Sequence, residues 1–178
     1  MKNKKSNKHK IKVILVTGSV GAGKTTIARA LSKKTGFMNL ILNSLIRKNK
    51  LYDSYDRKDK CLIVDTKKLN AFLIKKIRDY KKRSKEDNRI KGLIIDSHLS
   101  HYLPSRYADL CIVAKCSLKI LEKRLKKRGY SKNKIKDNIE CEIFDVCLNE
   151  AKEARHKVAV IDSTKGINIS RIIQKIKI

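Results

Sequence analysis

Gly18-Ser19-Val20-Gly21-Ala22-Gly23-Lys24-Thr25 follows the apolar run Ile11 to Val16 and precedes a segment with apolar residues at Ile27, Ala28, Ala30 and Leu31. A loop of the form G-x-x-x-x-G-K-[ST] between a strand and a helix binds phosphate for a physical reason. Its glycines let successive backbone N–H groups turn toward one anion, and the helix that starts near Gly23 aims its positive end at the same point. Gly21, Gly23, Lys24, Thr25 and Thr26 are therefore the candidate ATP-binding residues. Lys24 reaches the β- and γ-phosphates, and the Thr25 hydroxyl takes a position on Mg²⁺.

Phosphoryl transfer needs further parts: an acidic strand end for magnesium, an acceptor pocket, and cations over the transferred group. Gly92-Leu93-Ile94-Ile95-Asp96 reads as a central strand closing on a carboxylate, so Asp96 is expected to hold Mg²⁺ through water or else to cap a helix or join an ion pair. His98 follows, a lone histidine near a strand end, which is often a satisfied structural group. Arg124 and Arg128 lie four apart, on one helix face, where they converge on phosphate or form part of a solvated basic face with Lys123, Lys126 and Lys127. A regulatory GTPase would show Asn-Lys-x-Asp and Asp-x-x-Gly; the nearest segment, Asn133-Lys134-Ile135-Lys136-Asp137, is one residue too long.

The elements that position these groups alternate. Ile11 to Thr17 is a strand, Lys24 to about Thr35 a helix ended by Gly36, and Met38 to Leu42 a short strand. Asn43 or Ser44 caps a helix to about Asn49, Leu51 to Asp56 is irregular, and Thr66 caps a helix to about Lys82. Lys81 to Lys91 reads as a polar loop, Leu110 to Ala114 as a strand, and Ser117 to about Lys127 as a helix. Ser131 to Arg155 is largely helical, Lys157 to Ile161 a last strand and Asn168 to Lys177 a last helix. This order implies an α/β fold, a mostly parallel five-stranded sheet with helices on both faces and its ligand site at the carboxyl ends of the strands.

The 178 residues suit one domain, and 41% hydrophobic content is ordinary for a globular chain. No apolar stretch approaches a membrane span, and Met1 to Lys8 lacks the apolar core of a signal peptide. The expectation is therefore an intracellular protein with no membrane partner: cytoplasmic in a prokaryote, and in the nucleus as well in a eukaryote. Five cysteines without C-x-x-C pairing read as small buried thiols, and ligand pairs at zinc spacing are missing. The formal net charge of +28 exceeds what a phosphate pocket requires. It favours a polyanion such as RNA by counterion release, or reflects a lysine-rich composition of the source; few aromatics are present to stack bases.

Asp96-Ser97-His98, Leu103-Pro104-x-Arg106, Arg124-Leu125-x-x-Arg128-Gly129-Tyr130-Ser131, Asp137-Asn138-Ile139-Glu140-Cys141-Glu142-Ile143 and Leu51-Tyr52-Asp53-x-Tyr55-Asp56 together resemble the adenylate kinase isoenzyme 6 family, over about residues 11 to 165. The resemblance implies a P-loop NTPase fold: a basic disordered tail at 1–10, then one kinase domain over 11–178 with a monophosphate-binding flap at about 41–64, a basic insertion at about 75–91 and a short lid at about 127–137. It implies reversible phosphoryl transfer between ATP and AMP, ATP hydrolysis, and help in small-subunit maturation through a platform ribosomal protein, the pre-ribosome and rRNA. Residue by residue it assigns His98 to the positioning of water or of a catalytic loop, Arg128 as the lid arginine at ATP, Arg47 to the monophosphate, with Tyr52 lining that pocket or packing the flap, and Lys165 to adenine. Ile41, Asn43 and Ser44 stand where the family shows Asn, Gly and Asp, which leaves base selectivity open.

Overall fold

The computed structural model describes residues 11–57 and 61–176. Five strands form one parallel sheet: β1 (Lys12–Thr17), β2 (Met38–Ile41), β5 (Gly92–Asp96), β6 (Leu110–Lys115) and β7 (Val158–Asp162), in the order β2-β5-β1-β6-β7. β1 is central and buried on both faces, which is why it reads as an unbroken apolar run. Its alternate side chains serve opposite layers. Ile14 and Val16 pack with helix α1 (Lys24–Thr35), α4 (Leu118–Lys127), α5 (Lys132–Ile143) and α7 (Ile169–Ile176). Val13 and Leu15 pack with α2 (Leu42–Lys48), α3 (Thr66–Arg83) and α6 (Val146–Glu153). A two-stranded antiparallel hairpin, β3 (Ser54–Asp56) and β4 (Cys61–Ile63), stands apart from the sheet.

Register brings the chemistry together. Val16 pairs with Asp96 and Ile41 with the same residue, so the end of β1, the carboxylate on β5 and the start of α2 meet at one edge of the sheet. β1 then gives way to Gly18, whose φ of +132° places a would-be Cβ 2.3 Å from the Ala114 carbonyl oxygen of β6. Only glycine fits there. Gly23, at φ +96°, opens α1, and Gly36, at φ +72°, closes it by donating its N–H to the Ser32 carbonyl.

Several element boundaries differ from those expected. Asn43 and Ser44 lie inside α2, whose N-cap is Ile41 with no side-chain bond, because the chain turns directly from β2 into the helix. Leu51 to Asp56 is not wholly irregular, since Ser54–Asp56 pairs with Cys61–Ile63. Asp65, not Thr66, caps α3: its carboxylate accepts the N–H groups of Lys67 and Lys68. α3 also runs through Lys81 and Lys82 to Arg83, because Leu69, Leu73 and Ile77 continue one buried stripe beneath the lysines. Each such side chain contributes about 1.5–3 kcal/mol by burial. Residues 75–83 thus belong to this helix, and the loop expected at Lys81 to Lys91 begins at Ser84.

The long helical stretch after Ser131 breaks at Asp145, which has left-handed backbone (φ 53°) and bonds to Lys115 at the end of β6. Ser131 caps α5 by accepting the Lys134 N–H. All five cysteines are free thiols; Cys111 and Cys116 are buried, whereas Cys61 is exposed and departs from the expected pattern. The basic tail expected at 1–10 and the end of the last helix at Lys177 lie outside the described residues, as do positions 58–60 within the expected flap. No helix among the described residues is long and apolar enough to cross a membrane.

Replacing Gly18 by Ala should destabilise the protein by on the order of 3 kcal/mol, because the added methyl meets backbone that cannot rotate away. Gly36→Ala, with open space around it, should cost only about 1 kcal/mol. Urea denaturation of the two variants against the parent checks the difference in midpoint.

Candidate active site

A cleft of about 570 Å³ opens at the carboxyl ends of β1, β5 and β2. It is lined by Gly21, Gly23, Lys24, Thr25 and Thr26 of the loop and α1, by Asp96, Ser97 and His98 after β5, by Asn43 and Arg47 of α2 with Cys61 and Leu62 of β4, and by Arg128, Tyr130 and Lys134. The residues expected at the ATP and those expected at the monophosphate therefore line one cavity.

The phosphate loop is irregular backbone, and its outward groups are satisfied by other elements. The Gly21 carbonyl accepts from Arg124 Nη1 at 3.1 Å, and the Ala22 carbonyl accepts from Ser163 Oγ at 2.8 Å. Arg124 also donates to Ser163 Oγ and to the Ser163 carbonyl. Ser19 Oγ donates to Glu142 Oε2 at 2.6 Å, while Glu142 Oε1 accepts the Cys116 N–H. Glu142 is buried in the last turn of α5, so this carboxylate fixes the loop to the end of that helix. Lys24 Nζ spans the loop, donating to the carbonyls of Gly18 and Ser19 at 2.9 Å each.

Electrostatics separates the groups. The Lys24 ammonium is enclosed although part of its stem is exposed, and this burial pulls its pKa down to about 8 against the opposing pull of Cys147 and Asp96. Burial pushes Asp96 up from the ordinary carboxylate range, moderated by the Thr25 hydroxyl and by the charges of Lys24 and Arg29. One Asp96 oxygen, Oδ2, is buried without a hydrogen-bond partner. His98 is pulled down to about 4, first by burial and then chiefly by the positive charge of Lys24, so its ring is neutral at physiological pH and can both donate and accept.

Most of the residues expected at the site line this cleft: Gly21, Gly23, Lys24, Thr25, Thr26, Asp96, His98, Arg128 and Arg47. Arg124 and Arg128 do not converge. Arg128, at the end of α4, faces the cleft, whereas the Arg124 guanidinium is taken up by Gly21 and Ser163 on the outside of the loop. Tyr52 is exposed and Lys165 lies in the exposed turn after β7; neither lines the cleft. The segment expected as a lid at about 127–137 holds the junction of Arg128, Gly129, Tyr130 and Ser131 between α4 and α5, followed by the first turns of α5. Sequence reasoning missed Ser97, Tyr130, Lys134 and Asn138 as lining groups, and also Thr17, His101, Ser163 and Glu142 as supports. Only the alignment of Asp137 and Asn138 within a family-like segment hinted at the α5 contribution.

A phosphate loop, an acidic strand end beside it and an acceptor pocket within one cleft define a nucleotide-dependent phosphotransferase. The AAA domain family model matches residues 14–145. The adenylate kinase isoenzyme 6 homologue of Caenorhabditis elegans is 36% identical over 141 residues, covering 79% of this chain and 72% of that protein. The Dictyostelium discoideum adenylate kinase isoenzyme 6 homologue is 33% identical over 151 residues, covering 84% and 79%. A sugar kinase structure from Janibacter shares the fold, with a TM-score of 0.59 at 16% identity over 95% of this chain and 96% of that one. The chain belongs to the adenylate kinase isoenzyme 6 family, and it is a nucleotide kinase of the adenylate kinase type.

The different places of the two arginines separate their variants. Arg128→Ala should lower turnover at least tenfold while leaving the melting temperature within about 1 °C. Arg124→Ala removes three bonds to the loop and its neighbour, and should lower both turnover and the melting temperature, the latter by about 4–8 °C. Thermal melts run beside steady-state assays check both outcomes.

Proposed function

We propose that this kinase transfers the γ-phosphoryl of ATP to AMP, giving two ADP, and hydrolyses ATP when no acceptor is bound. The observation that carries the reading is the single cleft lined by Lys24, Thr25 and Asp96 together with Arg47. A planar guanidinium at Arg47 suits a monophosphate, and Arg128 suits charge that develops on the transferred group. Mg²⁺ fits the residues present: the buried, unpartnered Asp96 Oδ2 and the Thr25 hydroxyl face the same space and would hold it, with Asp96 acting through water. The bound ion would neutralise charge on the β- and γ-phosphate oxygens. The neutral His98 ring can orient a water, and the four-residue junction between α4 and α5 leaves less cover than a long lid would.

A second role, as an ATP-driven factor in small ribosomal subunit maturation that meets a platform ribosomal protein and rRNA, is favoured by the family resemblance and by the +28 charge. The surface of α3 carries Lys75, Lys76, Arg78, Lys82 and Arg83 over a buried apolar stripe, and so offers phosphate contacts without an apolar face for lipid.

ATP turnover with and without AMP, following ADP and inorganic phosphate separately and repeated with CMP, UMP and GMP, tests the first reading. ADP rising with AMP without matching phosphate is expected; dominant AMP-independent phosphate release would make the protein an ATPase with a kinase fold. Lys24→Ala should abolish both activities with the fold intact, and retained turnover would remove the phosphate-loop mechanism. For the second role, Lys75→Glu with Lys82→Glu should flatten the salt dependence of binding to a structured RNA by about two phosphate contacts. An unchanged slope would assign the charge of α3 to composition alone. Substitution is the right perturbation, because deletion would remove the fully buried Ile77.

A further inference from the structure

The phosphate loop and the loop that carries Asp96 and His98 are joined by a buried polar network outside the cleft. Thr17, the last residue of β1, and His101 are both almost fully buried, at 0% and 1% exposure. Thr17 Oγ1 lies 2.6 Å from His101 Nδ1 and 3.5 Å from the His98 carbonyl oxygen. On the other side of the ring, His101 Nε2 meets Glu150 Oε2 of α6 at 2.8 Å, and Glu150 Oε1 accepts from the Tyr102 hydroxyl. The His101 carbonyl lies 2.9 Å from His156 Nε2. Beside it, the Val16 carbonyl accepts from the Ser97 N–H at 3.2 Å and from Ser100 Oγ at 3.3 Å.

The protonation pattern follows from the partners. Glu150 is partly exposed and acts as an acceptor, so the neutral imidazole carries its proton on Nε2 and presents Nδ1 as an acceptor. Thr17 therefore donates its hydroxyl proton to His101. No aliphatic side chain could replace a ring that accepts on one edge and donates on the other, and burying it is costly unless both edges are met. The consequence is positional. The joint between β1 and Gly18 is tied to the segment 97–101 by the His101 ring and by the two Val16 bonds, so the donor loop and the Asp96–His98 loop keep one relative placement.

We propose that His101 is a positioning residue for phosphoryl transfer: acting through Thr17, it fixes the Asp96–His98 loop against the phosphate loop, with Glu150 setting its tautomer. His101 touches neither the cleft nor any reacting atom, and its effect is on turnover more than on nucleotide affinity.

Thr17→Val removes the hydroxyl at nearly constant volume, and Thr17→Ser restores it. His101→Asn keeps an acceptor near the Nδ1 position, whereas His101→Gln reaches toward Glu150 and leaves Thr17 without its acceptor. Steady-state kinetics should show kcat down about tenfold in Thr17→Val with the KM for ATP within about twofold, recovery in Thr17→Ser, and higher kcat in His101→Asn than in His101→Gln. Amide hydrogen exchange in the nucleotide-free protein should be faster at Ser97 to Leu99 in Thr17→Val and His101→Gln than in the parent. The proposal is overturned if Thr17→Val keeps kcat within about twofold of the parent, if the two His101 variants rank the other way, or if activity loss matches the fraction unfolded in a melt at assay temperature. The exchange readout needs no turnover, so unchanged exchange overturns the positioning role even for a protein that fails to phosphorylate AMP, which separates the two readings.

Discussion

Everything at this site depends on holding an irregular loop so that its amides face an anion. A helix or strand pairs its own backbone; in residues 18 to 23 the Ala22 N–H meets the Ser19 carbonyl and Lys24 Nζ takes the Gly18 and Ser19 carbonyls, but the other outward groups need partners from elsewhere. Three side chains from the second half of the chain supply them. Arg124 on α4 and Ser163 after β7 take the carbonyls of Gly21 and Ala22, and Glu142 on α5 takes the Ser19 hydroxyl. The loop motif is local in sequence, but its shape is a property of the completed fold. Losing Arg124 is therefore a different event from losing Arg128, although both belong to one helix.

The same dependence explains what the sequence made legible. The strand β1, the loop and Asp96 were readable because each is a short pattern whose meaning is set by neighbours in the chain: an unbroken apolar run, glycine spacing, a carboxylate closing a buried strand. The supports were not, because they join residues far apart in sequence. Thr17 and His101 are separated by 84 positions, Gly21 and Arg124 by 103, and Ser19 and Glu142 by 123. Nothing local marks Glu142 as buried or Arg124 as turned away from the cleft. Likewise the hairpin β3–β4 has strands of three residues each, too short for alternation to register. Lys165 and Tyr52 were placed by resemblance alone, and the backbone leaves both outside the cleft.

Charge gives the site its direction. The Lys24 ammonium and the Asp96 carboxylate each sit where burial works against their charged form, and neither fully compensates the other. A pair optimised for stability alone would bond directly and show the opposite shifts. Here Lys24 bonds to loop carbonyls instead, Asp96 keeps one oxygen without a partner, and Arg47, Arg128 and Lys134 all line the same cleft. Such an arrangement is costly in isolation, and a polyphosphate with a divalent cation is the chemistry that relieves it at both ends.

That reasoning also locates where the protein tolerates cost and where it does not. In the cleft, Asp96 Oδ2 remains without a partner, where a ligand can meet it. Behind the loop, the His101 edges, the Ser100 hydroxyl and both Glu142 oxygens are matched within the protein, because no ligand or bulk water reaches them. An adaptable front on a fully bonded support is what in-line transfer requires, since the reacting groups must close on each other while their frame stays fixed. The short junction from Arg128 to Ser131 lets α5 carry Lys134 toward the cleft and Glu142 beneath the loop on one rigid helix, so the lid side and the loop move as a unit or not at all.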